Sequence, residues 1–359
     1  ASLAVDTYSI GNALAYAEIV RERAVLRGLI AAGSEIGDLG YRPEGRAPAD
    51  LVDAAEQKVH ALRGRQHEDQ RSMAQLIDHV ERRIELLRAH PEQVAGMPTG
   101  FQDLDRRTTG MHPGDMIIVA ARPGMGKTSF AMNIAEYVAI ERKVPVAFFS
   151  MEMSDEQLAQ RLLSSYARVP LPAIRSGQLN DADFHRLASA DAFLREAPIH
   201  IDQTGGMSPL ELRARARRMV RKYGVKLIVV DYVQLMQIPG TKEYRTNEIS
   251  EISRKLKELA KELALPVIAL SQLNRGLEQR DNKRPRLSDL RESGGLEQDA
   301  DLVLFIYRDE MYNEATKDKG KAEIIIGKQR SGPTGHSDLA FLGQYCKFDN
   351  LADPSFQAT

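Results

Sequence analysis

The stretch Ala121-Arg122-Pro123-Gly124-Met125-Gly126-Lys127-Thr128 decides the fold. The apolar run Met116 to Ala120 ahead of it predicts a buried strand, and Ser129 to Ile140 behind it predicts a helix. A Gly-rich turn between a strand and a helix aims backbone N–H groups and the positive end of the helix at one point, where an anion can sit. In such a phosphate-binding loop Gly124 and Gly126 shape the turn and Ser129 opens the helix. Lys127 would reach the β- and γ-phosphates of a nucleotide, and the Thr128 hydroxyl would hold Mg²⁺. Ala121 stands where the pattern usually has Gly, which is tolerable if that residue ends the strand with a negative φ.

Around this loop the chain has the bulk properties of an ordinary globular protein. It has 359 residues, 43% of them hydrophobic and 28% charged, enough for one large domain and a smaller piece. A net charge of −1 excludes a histone-like polycation, though not a protein that presents a few basic loops to a strand. Cys346 is the only cysteine, so a disulfide framework and a Cys-based zinc site within one chain are both excluded. A reducing, cytoplasmic setting is expected. No apolar run reaches the roughly 18 residues of a membrane span, and no signal peptide is visible. The chain starts at Ala1-Ser2-Leu3 without an initiator Met, and we expect an N-terminal truncation.

Three regions follow from the pattern. Residues 1–65 are helix-rich, with helices expected at Asn12 to Ile30 and Asp50 to Leu62 and a Gly/Pro loop, Gly33 to Pro48, between them. They are too few to bury a core alone. Residues 66–95 read as a linker whose helix, 71–88, carries the stripe Met73, Leu76, Ile77, Val80, Ile84 and Leu87; the stripe can pack on its own domain or dock on a neighbouring subunit. From residue 96 to 359 strands alternate with helices: Val144–Ser150, Ile199–Asp202, Leu227–Asp231, Val267–Ser271 and Leu302–Tyr307, then Lys321–Lys328 and Asp338–Phe348 with little helix between. This order predicts an α/β domain with a central, mainly parallel sheet ending in antiparallel strands.

Several strands end in chemistry. Leu227–Asp231 delivers Asp231 where a carboxylate can hold water on Mg²⁺. After Phe148-Phe149-Ser150 comes Glu152, the candidate to orient the attacking water; a first-turn helix Glu beside a Ser154–Gln157 capping box is the competing reading. Gln272 ends another strand, placed to sense the γ-phosphate or to be satisfied by backbone. Lys328-Gln329-Arg330 closes Ile324 to Gly327, with two cations on one face; they read either as solvated turn cations or as charges offered to a neighbour's site. The loop Arg280 to Arg291 is basic, without the aromatics that base stacking needs, and fits phosphate contact or simple solvation. Arg213 to Lys226, on a predicted helix, reads as a solvated face.

Taken together, the phosphate loop, Ser150-Met151-Glu152-Met153, Val230-Asp231-Tyr232, Ser271-Gln272-Leu273-Asn274-Arg275, Ser288 to Gly294 and Lys328-Gln329-Arg330 resemble, in order and spacing, the DnaB family of bacterial replicative DNA helicases. Ala15-Tyr16-Ala17-Glu18-Ile19-Val20 resembles the end of that family's helical domain. The resemblance implies a RecA-like P-loop ATPase domain, preceded by a helical N-terminal remnant and a linker helix, that works as a ring-shaped homohexamer. It implies ATP and Mg²⁺ bound between subunits, with Lys127, Glu152, Asp231 and Gln272 from one and Lys328 and Arg330 in trans. Arg161 and Gln329 would contact nucleotide. Single-stranded DNA would thread the channel, held around Arg291, Glu292 and Gly294, with translocation 5′ to 3′. Primase and a helicase loader are the implied partners, and no membrane is. Gly124 stands where members often have Ser. A RecA-type recombinase and a nucleotide-sensing scaffold without productive turnover are the rival readings; the Lys-Gln-Arg run and Glu152 speak against them.

Overall fold

The run Met116–Ala121 forms β1 in the computed structural model, and all six of its side chains are buried. The structure describes residues 10–43, 72–89, 94–238 and 245–351, with scattered positions between 45 and 59. The chain divides into two compact units, Ala1–Ala89 and His90–Thr359.

In the larger unit β2 (Val146–Ser150), β3 (Ile199–Gln203), β4 (Leu227–Asp231), β5 (Val267–Gln272) and β6 (Leu302–Tyr307) join β1, followed by β7 (Lys321–Gln329), β8 (Gly335–Leu342) and β9 (Lys347–Asn350). The order in the single sheet is β3-β2-β4-β5-β1-β6-β7-β8-β9. Pairings from β3 to β6 are parallel, and those from β6 to β9 antiparallel. Strand alternation sorts the core onto two faces. Ile117, Val119, Phe148, Val229 and Leu270 pack with Phe130 and Ile134 of the helix Lys127–Ile140 and with Leu158 and Leu162 of Asp155–Ala167. Ile118, Ala120, Phe149, Val230 and Ala269 pack with Leu212 and Ala216 of Pro209–Tyr223 and with Ile252 and Leu256 of Arg245–Leu263. Among the described residues no helix is long and apolar enough to cross a membrane.

Three expectations change. The segment Asp338–Phe348, expected as one strand, is two: Gly343–Tyr345 forms a 3-10 turn and Cys346 takes a φ of 53°, so the chain reverses into β9. The expected Gly33–Pro48 loop is helical through Tyr41, in the helix Ile10–Tyr41. Glycine lowers helix propensity by only about 1 kcal/mol and keeps its N–H, whereas Pro43 removes one and disfavours helix in the residue before it, so the helix stops there. Of the expected helix 50–62, the described residues Leu51, Val52, Ala54, Ala55, Lys58 and Val59 are helical. Arg213 to Lys226 is not simply a solvated face: Arg213 and Arg217 pair with Glu262, and Arg215 with Asp202.

In the smaller unit the linker stripe lies on Met73–Ala89. Its Met73, Leu76, Ile77, Val80 and Ile84 are exposed.

Candidate nucleotide site

Parallel strands bring their carboxyl ends to one edge, where ligands of open α/β sheets bind. Register places Ser150 beside Asp231 and Ala121 beside Gln272. Ala121 is the last residue of β1 and is not among the positive-φ residues, as its place in the loop requires.

The loop itself is held open. Gly124 and Gly126 have φ of 81° and 98°. A Cβ on Gly126 would lie 2.9 Å from Phe348 Cζ and 3.2 Å from Phe341 Cε2, aromatic side chains of β9 and β8. Both the conformation and the space therefore demand glycine. Gly126→Ala carries a strain of about 1–3 kcal/mol, and we expect its Kd for a fluorescent ADP analogue to rise at least roughly tenfold; an unchanged Kd would contradict this packing.

Lys127 and Thr128 open the helix Lys127–Ile140. The Thr128 hydroxyl donates to Asp231 Oδ2 at 2.8 Å. Lys127 Nζ lies 3.7 Å from Asp231 Oδ1 and 4.0 Å from the centre of the Tyr232 ring. Burial pushes the Lys127 pKa down, opposed by the charges of Asp231 and Glu152. Burial likewise pushes the Asp231 carboxyl up, opposed first by Lys127 and then by the Thr128 hydrogen bond. Asp231 Oδ1 is buried and accepts no hydrogen bond. A bare carboxylate oxygen beside a hydroxyl is a donor set that suits a hard cation keeping several waters, so these residues fit Mg²⁺.

Glu152 lies before the helix Asp155–Ala167, whose cap is Ser154 with Gln157 in a complete capping box. The first turn holds Asp155 and Glu156, so Glu152 has no helix-terminal role. It is exposed, on a bend pinned by Ser150 Oγ, which donates to the Met153 carbonyl and accepts from the Met153 N–H, and by the Met151 N–H on the Asp231 carbonyl. Arg161 reaches Ser129 Oγ at 3.3 Å. The backbone of Gln272 is clamped by Gln234, which accepts from its N–H at 3.2 Å and donates to its carbonyl at 3.1 Å.

Lys328 and Arg330 are brought together elsewhere, and they are not free turn cations. A bulge between Val303 and Leu304 in the β6–β7 register leaves Gly327 unpaired and sets Lys328 opposite Val303. A Cβ on Gly327 would lie 2.3 Å from the Phe305 ring. The extra residue flips the alternation, so both cations face the helix Gly294–Asp299. Lys328 Nζ donates to the carbonyls of Glu297 and Gln298 at 2.6 and 3.2 Å, and Arg330 to that of Gln298 at 3.0 Å. Gln329 donates to the Arg107 carbonyl. Burial and the Arg330 charge lower the Lys328 pKa.

The basic loop is partly paired: Arg280 binds Asp289 within it, and Arg284 binds Glu323 of β7. Its end runs through the 3-10 segment Leu287–Ser293 into Gly294–Asp299; the side chains of Arg291 and Glu292 lie outside the described residues.

Two loop supports escaped sequence reasoning. Arg308, 9% exposed, donates to the Gly124 carbonyl at 3.0 Å and stacks on Phe341 at 3.9 Å. It follows the apolar strand β6 as Gln272 ends β5, and that shared pattern was the available signal. Arg122 is the other, a buried arginine inside the loop motif.

Residues 96–350 match the family described as DnaB-like helicase C terminal domain. The replicative DNA helicase DnaB of Pasteurella multocida is 50% identical over 361 residues, covering 98% of this chain and 77% of its own. That of Leifsonia xyli is 44% identical, covering 95% of this chain and 75% of its own. A solved structure described as "The Structure Of A DnaB-Like Replicative Helicase And Its Interactions With Primase" aligns with a TM-score of 0.80 and 32% identity, over 98% of this chain and 82% of that one. The "ATPase Domain of G40P" aligns with a TM-score of 0.75 and 38% identity, over 79% of this chain and all of that one. With a RecA-like sheet, a phosphate loop at its carboxyl edge and this likeness along nearly its whole length, the chain belongs to the DnaB-like helicase family.

Proposed function

We propose that the chain is the motor of a replicative DNA helicase: a ring-shaped homohexamer that hydrolyses ATP to move 5′ to 3′ along single-stranded DNA and unwind the duplex at the fork. The observation that carries this reading is the meeting of Lys127, Thr128, Asp231, Glu152 and Gln272 at one sheet edge. Water attacks the γ-phosphate directly, with no covalent intermediate. Glu152 orients that water, Lys127 neutralises the β- and γ-oxygens, and Gln272 faces the γ-phosphate. Thr128 and Asp231 would hold Mg²⁺, which would supply charge neutralisation when bound. Gly124, Gly126, Ser129, Arg161 and Gln329 contact nucleotide, and Lys328 and Arg330 complete a neighbour's site.

Residues 1–65 are the end of a helical domain, 66–95 a linker and 96–359 the motor. The exposed stripe of Met73–Ala89 supports docking of the linker helix on the adjacent subunit. Arg291, Glu292 and Gly294 hold the strand's phosphates. The setting is cytoplasmic, and primase and a helicase loader are the partners.

ATP turnover measured with and without oligothymidylate tests the reading: stimulation by the strand is expected, and absence of turnover in both conditions overturns it. Strand affinity should fall with salt at a slope of about −0.7 per neutralised phosphate, and Arg291→Ala should flatten that slope by about one such step.

A further inference from the structure

Arg122 is the second residue of the phosphate loop motif, yet its guanidinium turns into the protein and is 8% exposed. Nε donates to Glu278 Oε1 at 2.8 Å, and Nη1 to the Leu273 carbonyl at 2.7 Å. The Leu273 N–H returns a bond to the Ala121 carbonyl at 3.1 Å. One arginine therefore ties the root of the phosphate loop to the chain leaving Gln272 at two points.

From there the contacts continue toward the basic loop. Glu278 sits in the 3-10 segment Arg275–Gln279, anchored by buried Leu277. Two residues on, Arg280 donates to Asp289 Oδ2 at 2.7 Å. Asp289 also accepts from the Arg286 N–H at 2.8 Å, and its carbonyl accepts from the Asn274 N–H at 3.3 Å. Asp289 belongs to Leu287–Ser293, the turn that carries Arg291. Two ion pairs in series, Arg122–Glu278 and Arg280–Asp289, thus run from the phosphate loop to the strand-holding segment.

A buried guanidinium that loses its carboxylate is left with an uncompensated charge. A shift of the loop root on nucleotide binding must therefore carry Glu278 with it or break that pair. We propose that Arg122 and Glu278 are positioning residues that couple nucleotide occupancy of the phosphate loop to the grip of residues 280–294 on single-stranded DNA. This rests on the assignment of that segment to DNA.

The test uses the full chain and fluorescein-labelled oligothymidylate, titrated with ADP or with a non-hydrolysable ATP analogue, alongside ATPase assays. In Glu278→Gln, turnover without DNA should stay within about twofold, while the ratio of strand affinities between the two nucleotide states shrinks at least about fivefold, the low end of typical coupling. The double variant Arg122→Lys with Glu278→Gln should lose no more of that ratio than the more affected single variant; additive losses would overturn the pairing. Arg291→Ala serves as the reference. If it keeps full strand affinity, the DNA assignment itself falls. If it loses affinity in both nucleotide states while Glu278→Gln keeps the wild-type ratio, the coupling proposal alone falls.

Discussion

Lys127→Ala should abolish ATP hydrolysis, with kcat down by at least about 10³, and should weaken nucleotide binding. Lys127 is 12% exposed and lies between the Asp231 carboxylate and the Tyr232 ring. It is a desolvated cation whose nearest opposite charge is the carboxylate we assign to Mg²⁺. Bound phosphates would offer it a stronger partner than Asp231 does at 3.7 Å, and that exchange would leave the carboxylate available to a cation. Alanine removes both halves of the exchange. It also leaves Asp231, already pushed toward its protonated form by burial, without its main compensating charge, so the requirement for Mg²⁺ should rise at low pH first. Phosphate release at saturating ATP, with equilibrium binding of a fluorescent analogue, reads both effects. Full activity in this variant would refute the assignment of the loop.

Arg330→Ala should lower turnover by about 10³–10⁵, the range for cations that neutralise transition-state charge from a neighbouring subunit. The resting contacts of Arg330 offer a second route to the same loss, because it holds the Gln298 carbonyl and lies 3.5 Å from Asp301. Mixed assemblies separate the two. When Arg330→Ala subunits are combined with Glu152→Gln subunits, some interfaces pair an intact Glu152 with an intact Arg330. Those interfaces should hydrolyse ATP although each variant alone is inactive. If the mixture stays as inactive as its parts, Arg330 acts only within its own chain.

The parallel half of the fold was legible because its central strands are apolar runs, and β2, β4 and β5 close on polar residues: Ser150, Asp231, and Ser271 with Gln272. Those polar residues also named the site, since in a parallel sheet carboxyl ends share an edge. The antiparallel half was less legible. Its strands are buried on alternate residues, and the turn at Gly343–Tyr345 has no Pro-Gly signal, so β8 and β9 merged into one expected strand. The facing of Lys328 and Arg330 depends on a bulge at Gly327 that only the Phe305 ring explains. The contacts of Arg122 with Leu273 and Glu278, and of Arg308 with Gly124, span 151 to 184 positions, and periodicity carries no information about them.

The aromatic pair beneath Gly126 also bears on how the chain folds. The β9 ring that limits Gly126 sits on a residue whose N–H bonds the Asn133 side chain across 215 positions. Lys347 reaches Glu136 across 211. Closing so long a loop is among the slow events of folding. The phosphate loop, although local in sequence, thus acquires its floor only when the antiparallel hairpin docks. Nucleotide, which needs that floor in place, should therefore favour the chain with the hairpin docked.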